Sequence, residues 1–337
     1  MKRVAWNDSY DKKGAFRFYF WVKNKWHGIN IDDRLPARKG NYGYSAAFAQ
    51  KSTLGAWWMP LLEKAYAKLD QNYERLVGGM GFEGLRTLTG MPTTFFSLKR
   101  GKDLDNTYKL MKRLADKNYP MTTPCCNNGN FNGLITGHAY TLLNVLQLST
   151  GEKLAHVRNP WSQGEWKGDW SDKSSKWTAA TKKEAGYVNA NDGAFFMPFK
   201  AYTENYWGAS VALYQEYKGY QLIDAEQSTR TVKYTVNNPI EQELYIVGET
   251  WSNRNYPRNC NPGNNYVMYL FDSNMKRVGS YAFIGARGFG MSGKLGEKLP
   301  KGDYTVYLIN QSYRSQVAKL SLNFYWADKK GTAAEKK

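Results

Sequence analysis

Apolar positions along this chain change period several times, and each change predicts an element. Ala15 to Val22 reads Ala-Phe-Arg-Phe-Tyr-Phe-Trp-Val, an aromatic-rich strand pattern. Lys23-Asn24-Lys25 marks a turn, and residues 26–32 read as the return strand. Apolar residues at 58, 61, 62, 65, 66 and 69 have helical period, and Pro60 is tolerable in a first turn. Residues 78–90 read as a glycine-rich loop, and without Gly-Lys-Ser/Thr they do not support a phosphate cradle. A second amphipathic helix is predicted over residues 103–117, with Tyr108, Leu110, Met111, Leu114 and Ala115 on its apolar face and Pro120 ending the pattern. Residues 121–126 form a short strand candidate. From about Ala209 short strands at 232–236, 243–247, 266–271 and 304–309, separated by Asn, Gly and Pro clusters, argue for a β-sandwich. Residues 328–337 read as a basic disordered tail.

The stretch from 137 to 177 organises the rest. Thr141-Leu142-Leu143-Asn144-Val145-Leu146-Gln147-Leu148 is strand-like, Ser149-Thr150-Gly151-Glu152 is a turn signal, and Leu154 to Val157 alternates again. A hairpin turning near Thr150 returns Asn159 to the end of the sheet that holds His138. An imidazole acting as a general base needs a second group to fix its tautomer and orientation, and a side-chain amide can supply it. Taken separately, a strand histidine is usually structural and Asn-Pro usually marks a turn.

Composition narrows the field. The 337 residues are 42% hydrophobic and 15% aromatic, enough for two or three folded domains with a sizeable core. No apolar run reaches the 18 or so residues of a transmembrane helix, and the N-terminus lacks a signal-peptide core. The three cysteines, Cys125, Cys126 and Cys260, do not make a disulfide framework and read as ordinary thiols, which favours a reducing, cytoplasmic location. A formal charge of +18 raises anionic lipid or an acidic protein surface as partners. The basic residues are scattered, however. The densest groups are Lys99-Arg100 with Lys102, Lys112-Arg113 and the tail lysines, so nucleic-acid binding is not favoured.

Combined motifs say more than any one residue. Gly137-His138-Ala139-Tyr140, then Arg158-Asn159-Pro160-Trp161, then Glu165-Trp166-Lys167-Gly168-Asp169-Trp170-Ser171-Asp172 and Trp177 closely resemble the second half of a calpain protease core. Trp58, Leu61-Leu62-Glu63-Lys64-Ala65-Tyr66-Ala67-Lys68, Tyr73-Glu74, Gly78-Gly79, Glu83-Gly84 and Thr89-Gly90 resemble the end of the first half, and Asp32-Asp33-Arg34-Leu35-Pro36 matches too. The resemblance implies an α+β fold: a papain-like calpain protease core followed by a C2-like antiparallel β-sandwich. Residues 1–100 would be the remainder of the first core subdomain. Residues 101–210 would be the second, 211–327 the sandwich and 328–337 the tail. The resemblance is to a calcium-dependent cysteine endopeptidase acting on intracellular proteins.

In that family His138 would be the general base, Asn159 would orient it, and Trp161 would shield their hydrogen bond from water. Calpains carry the nucleophilic Cys and an oxyanion-hole Gln in a motif preceding the strand that matches Ala15 to Val22. No Gln-Gly-x-x-Gly-Asp-Cys-Trp text occurs in these residues, so the chain by itself is expected to be catalytically incomplete. His27 and His156 read as structural. Glu83, Glu165, Asp172 and Asp192 match calcium-ligand positions, with the Ala190 carbonyl also implied. Ala194 stands where the family has another glutamate, so a weak or partial Ca2+ site is expected. Two functions stay open: an endopeptidase whose nucleophile comes from outside these residues, and a non-catalytic homologue binding partners through its sandwich and basic surface.

Overall fold

The structure is a computed structural model that describes residues 14–41, 43–52, 54–98, 102–125, 132–227, 230–252, 254, 265–279, 282–285, 288–311 and 318–336. The N-terminal segment, Lys99-Arg100, Cys126 and Cys260 lie outside the described residues. Two compact units emerge. One comprises Met1–Gly79, Arg86–Gly90 and Tyr217–Lys337; the other comprises Met80–Leu85 and Met91–Glu216.

The first unit opens with the aromatic hairpin of β1 (Ala15–Val22) and β2 (Lys25–Asp32), paired with Trp21 opposite Trp26. Lys23 and Asn24 form its two-residue turn, both at positive φ (44° and 68°), the geometry that matches strand twist. A second hairpin follows, β3 (Ala37–Gly40) with β4 (Gly43–Ala46). Helix α1 (Trp58–Leu69) then lays its periodic apolar face on the first hairpin, where Leu61 and Ala65 join Phe18, Phe20 and Ile31 in one cluster. Phe20 stacks on Tyr66 with ring centroids 5.4 Å apart.

Residues 78–90 depart from the loop reading, because Gly81–Thr89 forms helix α2. Two glycines cost a helix about 1 kcal/mol each relative to alanine, but Gly81 answers a packing demand rather than a turn. A Cβ there would lie 1.9 Å from Thr122 Oγ1. At the other end of the helix Leu88 packs on the hairpin cluster.

The second unit is built on one antiparallel sheet. Its elements are β5 (Thr93–Ser97), α3 (Leu104–Asp116), β6 (Met121–Pro124), β7 (Ala139–Gln147), β8 (Lys153–Arg158), α4 (Ala179–Ala185), β9 (Ala194–Pro198), α5 (Phe199–Asn205) and β10 (Gly208–Ala212). The strand order is β5-β10-β6-β7-β8-β9. The predicted hairpin is β7–β8, closed by Leu148 N–H to Glu152 O at 2.8 Å.

The remaining strands belong to the first unit: β11 (Gly219–Gln227), β12 (Thr231–Asn238), β13 (Leu244–Glu249), β14 (Tyr266–Phe271), β15 (Ala282–Ile284), β16 (Phe289–Gly293), β17 (Gly302–Asn310), β18 (Ala318–Trp326) and β19 (Thr332–Lys336). They make two antiparallel sheets, ordered β11-β18-β13-β16 and β15-β14-β17-β12-β19. Val236, Met268 and Val306 from one sheet share a core with Ile246, Leu322 and Phe324 from the other. The reading of 328–337 as a disordered tail is corrected by β19, which pairs with β12. The Gln221 side chain holds this strand by accepting from Ala333 N–H at 3.0 Å and donating to its carbonyl at 2.7 Å. Basic composition hid a strand whose backbone had a sheet edge to pair with.

A buried ion pair ties the last turn of α2 to the sandwich strands. Arg86 grips Glu249 with Nε to Oε1 at 3.2 Å and Nη2 to Oε2 at 2.8 Å. Its Nη1 donates to Gly90 O at 2.6 Å and to the Tyr325 hydroxyl at 3.0 Å, and the Trp21 ring lies 5.3 Å from the guanidinium. Burial by itself pulls the Arg86 pKa down; the Glu249 carboxylate outweighs it and the net direction is up, so the guanidinium stays charged. Removing one partner of such a pair strands the other charge in a dry interior. Glu249→Leu is therefore expected to destabilise this unit by about 3–5 kcal/mol, and Arg86→Met with Glu249→Leu by clearly less. Urea unfolding of the three proteins checks the order; equal losses in the single and double variants would contradict it.

Candidate active site

The hairpin register assembles this site. His138 stands immediately before β7, and Asn159 immediately after β8. Pairing of Thr141 with Arg158 brings the two residues to one end of the sheet. A register shift between Leu142 and Asn144 accommodates the extra residue of β7. Asn159 is wholly buried, and its N–H donates to Gly193 O at 2.8 Å. Gly193 has φ +85°, and a Cβ there would lie 2.5 Å from the Asn159 carbonyl, so only glycine fits this approach.

The side chains form a closed network. His138 Nε2 and Asn159 Oδ1 are 2.9 Å apart. Asn159 Nδ2 donates to Gln163 O at 2.6 Å and lies 3.3 Å from Gly164 O. Those carbonyls fix which end of the amide is nitrogen, so Oδ1 must face the imidazole. Oδ1 also accepts from Trp161 N–H at 3.0 Å. An amide oxygen has no proton to give, so Nε2 carries the hydrogen and Nδ1 keeps its lone pair. The imidazole is thus fixed in the tautomer that can accept a proton at Nδ1.

Aromatic rings hold the imidazole in place. The Trp161 ring centroid lies 4.1 Å from that of His138, although Trp161 is 57% exposed. Tyr140 meets the imidazole edge-on at 5.1 Å, and its hydroxyl accepts from Ile135 N–H at 2.7 Å. The structure brings together His138, Asn159 and Trp161, which the sequence singled out, and adds Tyr140 and Gly193, which it did not. Asn191-Asp192-Gly193 was a visible turn signal, but its contact with Asn159 arises only from β8–β9 pairing.

The other histidines have structural settings. His27 Nε2 lies 3.1 Å from Val22 O. His156 stacks on Phe196 at 4.0 Å, and burial pushes its pKa down to about 4, so it is neutral near pH 7. Cys125 is buried and disulfide-bonded, which corrects its reading as an ordinary thiol; its backbone N–H donates to His138 O at 2.8 Å.

The acidic residues divide. Burial, then the Glu165 charge, with Asp192 adding to it, pushes the Asp172 carboxyl up to about 6, against a hydrogen bond from the Ala190 backbone. Glu165 Oε1 accepts from Gly193 N–H at 2.9 Å, and Asp192 Oδ1 from Ala194 N–H at 2.8 Å. Glu83 is buried in the first turn of α2, and the charges that act on Asp172 come from Glu165 and Asp192 rather than from it. Mutually repelling carboxylates are the donor chemistry of a hard divalent cation. Among the described residues, however, no group of three or more His, Cys, Asp or Glu is drawn close enough to hold a metal ion. No helix among them is long and apolar enough to cross a membrane.

Comparison with known proteins identifies the family of the chain. The chain is 36% identical to human calpain-14 over 215 residues, covering 60% of this chain and 30% of that protein. It is 35% identical to rat calpain-8 over 208 residues, covering 58% and 29%. It is 30% identical to the human calpain-2 catalytic subunit over 217 residues, covering 60% and 30%. The chain therefore matches less than a third of the length of these relatives. The profile described as calpain family cysteine protease matches residues 1–212. With His138, Asn159 and Trp161 inside that matched region, the chain belongs to the calpain family of cysteine proteases.

Proposed function

We propose that this chain carries the imidazole–amide part of a Cys-His-Asn endopeptidase that cleaves intracellular proteins. The observation that carries the reading is the His138–Asn159 hydrogen bond, whose partners leave Nδ1 as the basic nitrogen. Nδ1 takes the proton of a cysteine thiol, the thiolate attacks a peptide carbonyl, and the imidazolium returns that proton to the departing amine. Asn159 stabilises the imidazolium through Oδ1, and Trp161 covers one face of the ring. Cys125 is committed to a disulfide, and neither Cys126 nor Cys260 sits in a Gln-Gly-x-x-Gly-Asp-Cys-Trp motif. The reading therefore takes the thiol from a polypeptide segment outside these 337 residues.

A second reading, a non-catalytic homologue, is supported by the +18 charge and by a sandwich with its own core. In that case the sandwich would act as a C2-like module for an anionic lipid or an acidic protein surface. One experiment separates the two. The chain joined to a calpain segment bearing the Gln and Cys motif should cleave casein and be blocked by a thiol alkylator. His138→Ala should lower its rate by about 10²–10⁴-fold. The 337-residue chain by itself should not cleave. Cleavage that survives His138→Ala would overturn the first reading, and a fused protein that stays inert while binding partners would favour the second.

Calcium dependence is general in the calpain family. The family resemblance implies Glu165, Asp172 and Asp192, with the Ala190 carbonyl, as the ligands, and binding would have to draw these carboxylates closer together than they stand here. A bound calcium would supply positive charge that offsets their repulsion. Ala194 supplies no carboxylate, so affinity should be low and Ala194→Glu should raise it. Calorimetry checks this; no calcium heat from either protein would reject the site.

Asp172 also predicts a pH dependence. Its folded pKa, about 6, lies above the ordinary aspartate value of 3.8. The folded state thus binds the proton more tightly, and this group's contribution falls as pH rises from about 4 to 6. Asp192→Asn should lower the midpoint of the Asp172 carboxyl in carbon NMR. An unchanged midpoint would contradict the coupling.

A further inference from the structure

Among its described residues, the first unit carries a group of large exposed apolar side chains close together in sequence. Within sixteen residues of sequence, Tyr44, Leu54, Trp57, Trp58 and Met59 are all exposed, Tyr44 at 78% and Leu54 at 95%. A cavity of about 400 Å³ opens between the β3–β4 hairpin and the start of α1, lined mainly by Phe16, Leu35, Pro36, Tyr44, Trp57 and Leu61. Exposed apolar surface gathered round a preformed cavity marks an interaction site rather than ordinary surface scatter.

Charge selects the occupant. Arg34, Arg38, Lys39 and Lys51 are exposed on the segments that build this face. Asp32, the nearest acid on β2, is already paired with Lys64. Asp33 is the one charged residue lining the cavity, while the segment from residue 34 to 62 that runs round it carries basic residues and no acid. A second copy of this chain would oppose the same basic rim to itself across an isologous contact, which like-charge repulsion disfavours.

We infer that this face docks a polypeptide segment whose apolar side chains enter the cavity and whose acidic flanks meet Arg34, Arg38, Lys39 and Lys51. The inference stands apart from the His138 reading, since it uses other residues in the other compact unit. A partner of this kind gains affinity from a few apolar anchors, while the charges set the encounter rate and specificity.

The probes are two synthetic twenty-residue amphipathic peptides with the same Leu/Phe face, one flanked by glutamates and one by lysines. Titrated into the full chain, the glutamate peptide should bind at least tenfold tighter than the lysine peptide and weaken as salt is raised. It should slow amide exchange in residues 37–46 and 57–61. Trp57→Ser should weaken it at least tenfold. Arg38→Glu, on an exposed hairpin where folding is not at stake, should do so too and should narrow the preference between the peptides. Equal binding of both peptides, or protection outside these segments, would overturn the inference. So would a dimer of the chain abolished by Trp57→Ser, which would make a second copy the occupant.

Discussion

The hydrogen bond between His138 and Asn159 rests on the register of one hairpin. Side chains alternate across a strand, so slipping β7 against β8 by one residue would turn one partner to the other face of the sheet. Two features pin the register. The shift between Leu142 and Asn144 absorbs the extra residue of β7, and the Leu148–Glu152 turn closes the other end. The next strand then fixes Asn159 itself, because its N–H and carbonyl both meet Gly193. Burial finishes the arrangement. With Nδ2 committed to backbone carbonyls, the amide of Asn159 cannot flip without stranding a donor in a dry interior.

A different constraint governs the first unit. Arg86 and Glu249 lie far apart in sequence, yet they form a bidentate pair with side chains only 2% and 5% exposed. Trp21 from the hairpin, Gly90 after α2 and Tyr325 from β18 complete its surroundings. Asn323 also reaches Glu249, at 3.3 Å. Desolvating two charges is tolerable only when nearly every donor and acceptor is met, so this pair specifies one arrangement of hairpin, helix end and sandwich. It places the last turn of α2 with the sandwich strands in one compact unit, while the first turn of the same helix belongs to the other.

Much of this was legible from pattern. The helical period from Trp58 to Leu69 and the aromatic alternation from Ala15 to Val22 gave elements with those bounds, because the local pattern and the tertiary demand coincide there. His138, Asn159 and Trp161 were legible through short motifs on either side of a readable turn. Helix α2 was hidden because Gly81 is needed for contact with Thr122, a strand far away in sequence, and so looked like loop punctuation. Strand β18 alternates Leu320, Leu322, Phe324 and Trp326, but its other face buries Ser321 and Asn323, which obscured a central strand. The elevated carboxyl of Asp172 depends on burial first and then on the charges of Glu165 and Asp192 from separate loops, and no linear spacing reports that.

The central claim is that Asn159 holds His138 with Nδ1 unprotonated and basic. Long-range proton–nitrogen NMR of the imidazoles tests it most directly, on the chain at a pH where His138 is neutral. The account predicts the shifts of an Nε2–H tautomer for His138, and loss of that single-tautomer signature in Asn159→Ala. An Nδ1–H tautomer, or a signature unchanged when Asn159 is replaced, would contradict it.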